Sequence, residues 1–239
     1  MKLVKRPAAA RGRTRFDWLD SWHTFSFGDY HDPAHMGFRD LRVINDDVVE
    51  PGRGFGTHGH ANAEILTYVL EGRLAHRDSM GSASVIEAGS LQYMSAGSGV
   101  THSEMNPSPD ARVHLLQIWI LPDAPGGEPR YAEKHMPSET RANALTLVYS
   151  GRPRDGATAI RADADVLLGR LDPGQRLVHR PRPGRGLWLH AVRGDIEVEG
   201  EGDAEATRLA PGDGAAIEDA ASITLASRGG GEILLFDLG

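Results

Sequence analysis

No long stretch of this chain holds a clean 3.6-residue apolar period. Instead it carries short alternating or β-branched runs, such as EILTYVL (64–70), SVIEAG (84–89), SLQYMSA (90–96), VHLLQIWI (113–120) and GEILLFDL (231–238). The 29 glycines and 14 prolines cut these runs apart at short intervals. That rhythm predicts antiparallel strands closed into a sandwich or barrel, with at most short helices, one of them near 135–143. At 239 residues the chain is long enough for one large domain or two modest ones. It contains no cysteine, which excludes disulfides, thiolate metal sites and Cys nucleophiles, so any metal must be held by His, Asp or Glu. A net charge of −7 argues against a nucleic-acid surface. The basic start, MKLVKRPAAARGRT, lacks the apolar core of a secretory signal and reads as a first strand or arm. No apolar run approaches the ~18 residues of a membrane span, so a soluble, cytoplasmic protein is expected.

An internal repeat organises the chain. FGTHGHANAEILTYVLEG (55–72) has the length and ending of LVHRPRPGRGLWLHAVRG (177–194). Each is followed by a strand, a hairpin and a Gly-led turn, and GVTHSE (99–104) then falls opposite SITLAS (222–227). Both halves close on an apolar strand, LLQIWI or ILLFDL. Between them, PDAPGGEPRYAEKHMPSE (122–139) reads as a linker or surface excursion. The expected division is an N-terminal barrel with its arm over 1–122, a linker and crossover over 123–150, and a degenerate second barrel over 151–239.

The chemistry concentrates in His58-Gly59-His60 and His102-Ser103-Glu104. Residues i and i+2 of a strand share a face, so His58 and His60 project together, as do His102 and Glu104. If those strands are neighbours, three imidazoles and a carboxylate converge on one interior point. That donor set suits a divalent first-row metal, with Fe(II) the first candidate and Mn, Ni, Cu and Zn the alternatives. Four ligands from one side leave positions open for water, substrate or dioxygen. Glu64, Gln92 and Asn106 are candidates to orient the ligating imidazoles.

The surroundings of these residues resemble a cupin. Gly52, His58, His60, Glu64 and Gly72 trace its first motif, and Gly89, Gly99, His102 and Asn106 its second. WLDSWHTFSFGDYHDPAHMGFRDLRVINDD (18–47), TYVLEGRLAHRDSMG (67–81), MSAGSGVTHSEMNPS (94–108) and VHLLQIWILP (113–122) are more specifically similar to the pirin family of bicupins. The resemblance implies an all-β bicupin, two stacked jelly-roll-type β-barrels with short helices, and one metal in the N-terminal barrel on His58, His60, His102 and Glu104. Several bacterial members act on flavonols as quercetin 2,3-dioxygenases, which implies a flavonol-like aromatic substrate and O2, with Glu104 as the base. Other members are described as metal-dependent regulatory partners of transcription factors or metabolic enzymes, which implies a protein partner as the alternative. The chain departs from many relatives after the first ligand: Gly59-His60-Ala61-Asn62-Ala63 stands where they carry Pro-His-Arg.

Counting along the repeat puts Arg180 and Arg182 opposite His58 and His60, and Leu225 and Ser227 opposite His102 and Glu104. None of these four holds a divalent cation, and on this alignment His179 is one residue out of phase. One metal per chain is therefore expected, in the first half. His23 is expected to brace the N-terminal arm, and His76 to line the cavity or the junction of the halves. Trp18, Trp22, Phe25, Phe27 and Phe38 are expected to pack over the barrel edges.

Overall fold

The computed structural model describes residues 1–137, 142–202 and 205–239. Its strands are Lys2–Arg6 (β1), then Gly12–Arg15, Leu19–His23, Leu41–Val49, Gly54–His60, Glu64–Glu71, Arg73–Asp78, Ala83–Glu87, Ser90–Ser95, Val100–Met105, Val113–Ile120 and Arg130–His135 (β2 to β12). They continue as Ala144–Ser150, Thr158–Ala159, Ala164–Leu171, Arg176–His179, Gly186–Arg193, Ile196–Gly200, Thr207–Leu209, Gly214–Glu218, Ile223–Ala226 and Gly231–Leu238 (β13 to β22). Among the described residues the helical segment is a 3-10 turn at Ala8–Ala10. Of the helix expected near 135–143, residues 138–141 lie outside the described residues. His135 ends β12, and Ala142 makes an isolated bridge to Arg170.

The chain forms two compact units, Gly12–Pro137 and Met1–Arg11 with Ser138–Gly239. Each contains a seven-stranded and a four-stranded sheet. In the Gly12–Pro137 unit the orders are β12-β9-β6-β11-β4-β3-β2 and β5-β10-β7-β8. In the other they are β1-β20-β17-β22-β15-β13-β14 and β16-β21-β18-β19. The repeat is thus written in the pairing: β5 to β11 and β16 to β22 are joined in the same order. In the second unit, leucines and isoleucines from both sheets meet in one core, including Leu187, Leu189, Ile217, Leu225 and Leu235.

The boundaries differ from those expected for 1–122 and 123–150. The N-terminal arm pairs with β20 of the second unit, Lys2 opposite Glu218 through Arg6 opposite Gly214. Lys5 holds Asp213 at 2.7 Å, and the Ala8 amide donates to the same carboxylate at 2.6 Å. The excursion at 122–139 contains β12, which pairs with β9 of the first unit. The physical reason is common to both: a sheet edge presents unpaired backbone groups, and each unit covers the matching edge strand, β9 or β20, with an extended segment.

One glycine fixes the ligand-bearing sheet. β10 pairs with β5 through a register shift between His102 and Glu104. There Gly54, at φ +159°, comes so close that a Cβ would lie 2.2 Å from the Glu104 carbonyl oxygen and 2.6 Å from Met105 Cα. Gly54→Ala is expected to destabilise the protein by about 1–3 kcal/mol, read by urea unfolding, because backbone must move to admit the methyl group.

Candidate metal centre

The four-stranded sheet of the first unit carries the expected ligands. His102 pairs directly with His58, and Val100 with His60. The ring centroids of His58, His60 and His102 stand 4.5 to 4.9 Å apart. His58 Nε2 and His102 Nε2 are 3.1 Å apart. Each of the three imidazoles offers a nitrogen within 4.8 Å of the others'. His58 donates from Nδ1 to the Gly56 carbonyl at 2.8 Å, which leaves its Nε2 lone pair facing His102. Burial, with His58 nearby, holds His60 down at about 4. Burial and the neighbouring imidazoles hold His102 down at about 3. Both rings are neutral at pH 7, the form that donates a lone pair to a cation.

Glu104 belongs to a second triad, with His76 and His102, whose ligand atoms also lie within 4.8 Å. His102 is therefore shared by two overlapping groups. Both ring nitrogens of His76 are already engaged, Nε2 with Asp78 at 3.0 Å and Nδ1 with the Gln92 amide at 2.9 Å. Its ring stacks on Tyr131 at 4.7 Å. His76 thus packs behind His102 with no nitrogen directed at the triad.

The facing sheet supplies a row of polar side chains in one register: His23, Asn45, Gln117, Thr67 and Gln92, each paired with the next across β3, β4, β11, β6 and β9. Gln117 donates to Glu104 Oε2 at 2.8 Å and Thr67 to Oε1 at 3.4 Å. Burial, with the charge of Asp47 nearby, still pushes the Glu104 carboxyl up to about 7. His23 bonds Asn45 at 2.8 Å and Thr14 of β2 at 2.8 Å, so it does brace the neighbouring strand.

The three residues expected to orient the imidazoles have other partners. Glu64 is buried and accepts from Tyr93 at 2.6 Å and Ser95 at 2.5 Å. Asn106 donates to the Val49 and Ala111 carbonyls at 3.1 and 2.8 Å. Gln92 reaches the site through His76. Thr67 and Gln117 were missed. Their signal is a lone polar residue at an inward position of an apolar run, Thr in EILTYVL and Gln in VHLLQIWI.

A cavity of about 580 Å3 opens over the site and is lined by His58, His60, Glu104 and Gln117 together with Phe16, Trp18, Phe27, Phe55 and Trp119. Trp18 meets Phe55 edge-on at 5.2 Å, and Trp119 meets both His60 at 4.9 Å and Phe27 at 5.4 Å. Of the aromatics expected to pack, Phe25 is buried, while Trp18 and Phe27 line the cavity.

Residues 5–120 match the family model Pirin, and residues 147–238 match that of the quercetinase C-terminal cupin domain. The chain is 44% identical over 236 residues to the quercetin 2,3-dioxygenase of Escherichia coli K12, covering 99% of this chain and 98% of that one. The chain belongs to the pirin family. A pirin-like protein of Caulobacter vibrioides is 37% identical over 98% of this chain and 99% of its own. The crystal structure of the Escherichia coli pirin YhhW in complex with nickel(II) superposes with a TM-score of 0.92 at 43% identity, covering 99% of each chain.

Within this pirin, strand pairing corrects the counting alignment of the two barrels. In β16 and β21, Leu177 pairs with Leu225 and His179 with Ile223. Matched to β5 and β10, these are the positions of His58 with His102 and of His60 with Val100. Arg180 and Arg182 are therefore not the counterparts of His58 and His60. The turn after His179 runs to Gly186, whereas that after His60 runs only to Glu64, and the longer turn shifts the count by three. His179 takes the place of His60. Leu177, Leu225 and Val198 replace His58, His102 and Asp78. His179 Nε2 bonds Asp237 at 2.8 Å, and Asp237 also accepts from Arg185 at 2.5 Å. In place of the donor cluster the second barrel has hydrocarbon and one histidine hydrogen-bonded to Asp237.

Proposed function

We propose that this pirin is a metal-dependent dioxygenase that opens flavonol rings, converting flavonol and O2 to the ring-opened depside and carbon monoxide. The observation that carries the reading is the cluster of His58, His60 and His102, with the buried carboxylate of Glu104 grouped to His102, at an aromatic-lined cavity with room for a ring system. The names of its relatives and the nickel complex of the Escherichia coli pirin support it. His58, His60, His102 and Glu104 would hold the cation. A divalent first-row ion there supplies Lewis acidity and a template with positions open to oxygen donors. The donor set accepts Fe(II), Mn, Ni, Cu or Zn, with Fe(II) and Ni the first to test.

The chain's own residues do the rest. Glu104, which lines the cavity, takes the proton of the ligand's 3-hydroxyl. Gln117 and Thr67 hold the carboxylate in place through one hydrogen bond to each oxygen. Phe16, Trp18, Phe55 and Trp119 hold the ring and exclude water. Metal-loaded protein mixed anaerobically with quercetin and then given oxygen is expected to lose the flavonol absorbance and release carbon monoxide. Full loading with neither result overturns the reading.

The second barrel should take no metal. Elemental analysis is expected to return one equivalent per chain, and His179→Ala is expected to leave it unchanged. Two equivalents, with one lost in that variant, would show the second barrel to be a site.

A further inference from the structure

Asp47 stands on β4 opposite Ser21 of β3 and Leu115 of β11, the inward position next to Asn45. It lines the cavity and is 3% exposed. Ser21 hydrogen-bonds the carboxylate, yet Oδ1 is buried without a partner. Immediately beyond it the interior becomes hydrocarbon, with Leu19, Val49, Val69 and Leu115 in one cluster. The negative charge of Glu104 acts on the same space. Packing therefore fails to account for a carboxylate here, since an apolar side chain would serve it better, and Asp47 makes no hydrogen bond to His58, His60 or His102 among the described residues. On the same sheet Trp119 lines the cavity with its indole N–H buried and unpartnered. Both residues line the cavity while leaving a polar atom unpaired, so each can be completed by a ligand group seated beside it.

We infer that Asp47 accepts a hydrogen bond from a ring hydroxyl of the bound ligand that lies away from its metal-chelating edge, so that the cavity selects polyhydroxylated aromatics over bare ones. This rests on the reading of the cavity as a flavonol site, and it names a specificity-determining residue there. A hydrogen bond to a charged acceptor corresponds to about 10- to 100-fold in affinity.

The test compares two ligands that share the chelating edge, quercetin and 3-hydroxyflavone, of which only the first carries further hydroxyls. Binding to nickel-loaded protein is followed without oxygen, by ligand absorbance and tryptophan quenching. The wild type is expected to prefer quercetin by about 10- to 100-fold. In Asp47→Ala the ratio should fall to near one through loss of quercetin affinity, with 3-hydroxyflavone affinity and metal content kept. Asp47→Asn, which retains the shape, should lie between and, compared ligand-free at pH 8 or above where Asp47 is ionised, should melt higher than the wild type, because a buried unpaired charge is gone. Equal binding of the two ligands by the wild type, no binding of either, or an unchanged ratio in both variants overturns the inference. Selective binding without carbon monoxide release overturns the dioxygenase reading alone.

Discussion

His102→Ala is expected to strip the protein of metal and of turnover together. His102 is the side chain common to both donor triads, and it is 2% exposed. Its Nε2 sits 3.1 Å from that of His58. Removing it breaks both groups at once and leaves His58 and His60 on one strand and Glu104 on the other with no shared neighbour between them. Loss of a residue that merely orients a ligand costs about 10–100-fold in metal affinity, so loss of this one should exceed 100-fold. Dialysis against a chelator followed by elemental analysis reads the effect, and circular dichroism checks the fold. His76→Ala is the contrast. Both of its ring nitrogens are committed to Asp78 and Gln92, so metal should be weakened but retained. A fully loaded His102→Ala protein would place the cation elsewhere.

The candidate donors were legible because strand geometry is simple. An i, i+2 pair of donors shares a face, and neighbouring strands bring such faces together, as His58, His60 and His102 illustrate, with Glu104 joined through His102. The strand rhythm was legible for the same reason. What supports the site was not. Asn45, Thr67, Gln92 and Gln117 are single polar residues in four separate runs, and they become one row only through register, which no run encodes by itself. The arm at Lys2–Arg6 reads correctly as a strand, but it joins the sheet of the C-terminal half at β20 and not that of the half it precedes, and local pattern cannot choose between two unpaired edges. The repeat was legible as a series and misread by three positions at one turn. Counting residues assumes equal turns, whereas the pairing of Leu177 with Leu225 does not.

Glu104→Gln is expected to stabilise the metal-free protein and to destabilise the metal-loaded one. The carboxyl is raised from 4.5 to about 7, chiefly by burial and then by the charge of Asp47. Below pH 4.5 the folded and unfolded chains both hold this proton, and its contribution to stability is full. Between 4.5 and 7 the unfolded chain releases the proton while the folded one keeps it, so metal-free stability declines through that window and levels off above it. The whole decline is on the order of 3 kcal/mol. Gln cannot titrate, so at pH 8 the chelator-treated variant should exceed the wild type by about that amount, and at pH 4 the two should agree. Asp47, raised from 3.8 to about 7 by burial, has the same sign and leaves a residual slope in both proteins. A bound cation reverses the preference, because it favours the charged carboxylate that burial disfavours. Wild-type protein should therefore gain more from nickel than the variant does, and the order of the two urea midpoints at pH 8 should invert on loading. If the variant is the weaker protein without metal at pH 8, the buried charge in this site belongs to another group, and Glu104 is held by its hydrogen bonds alone.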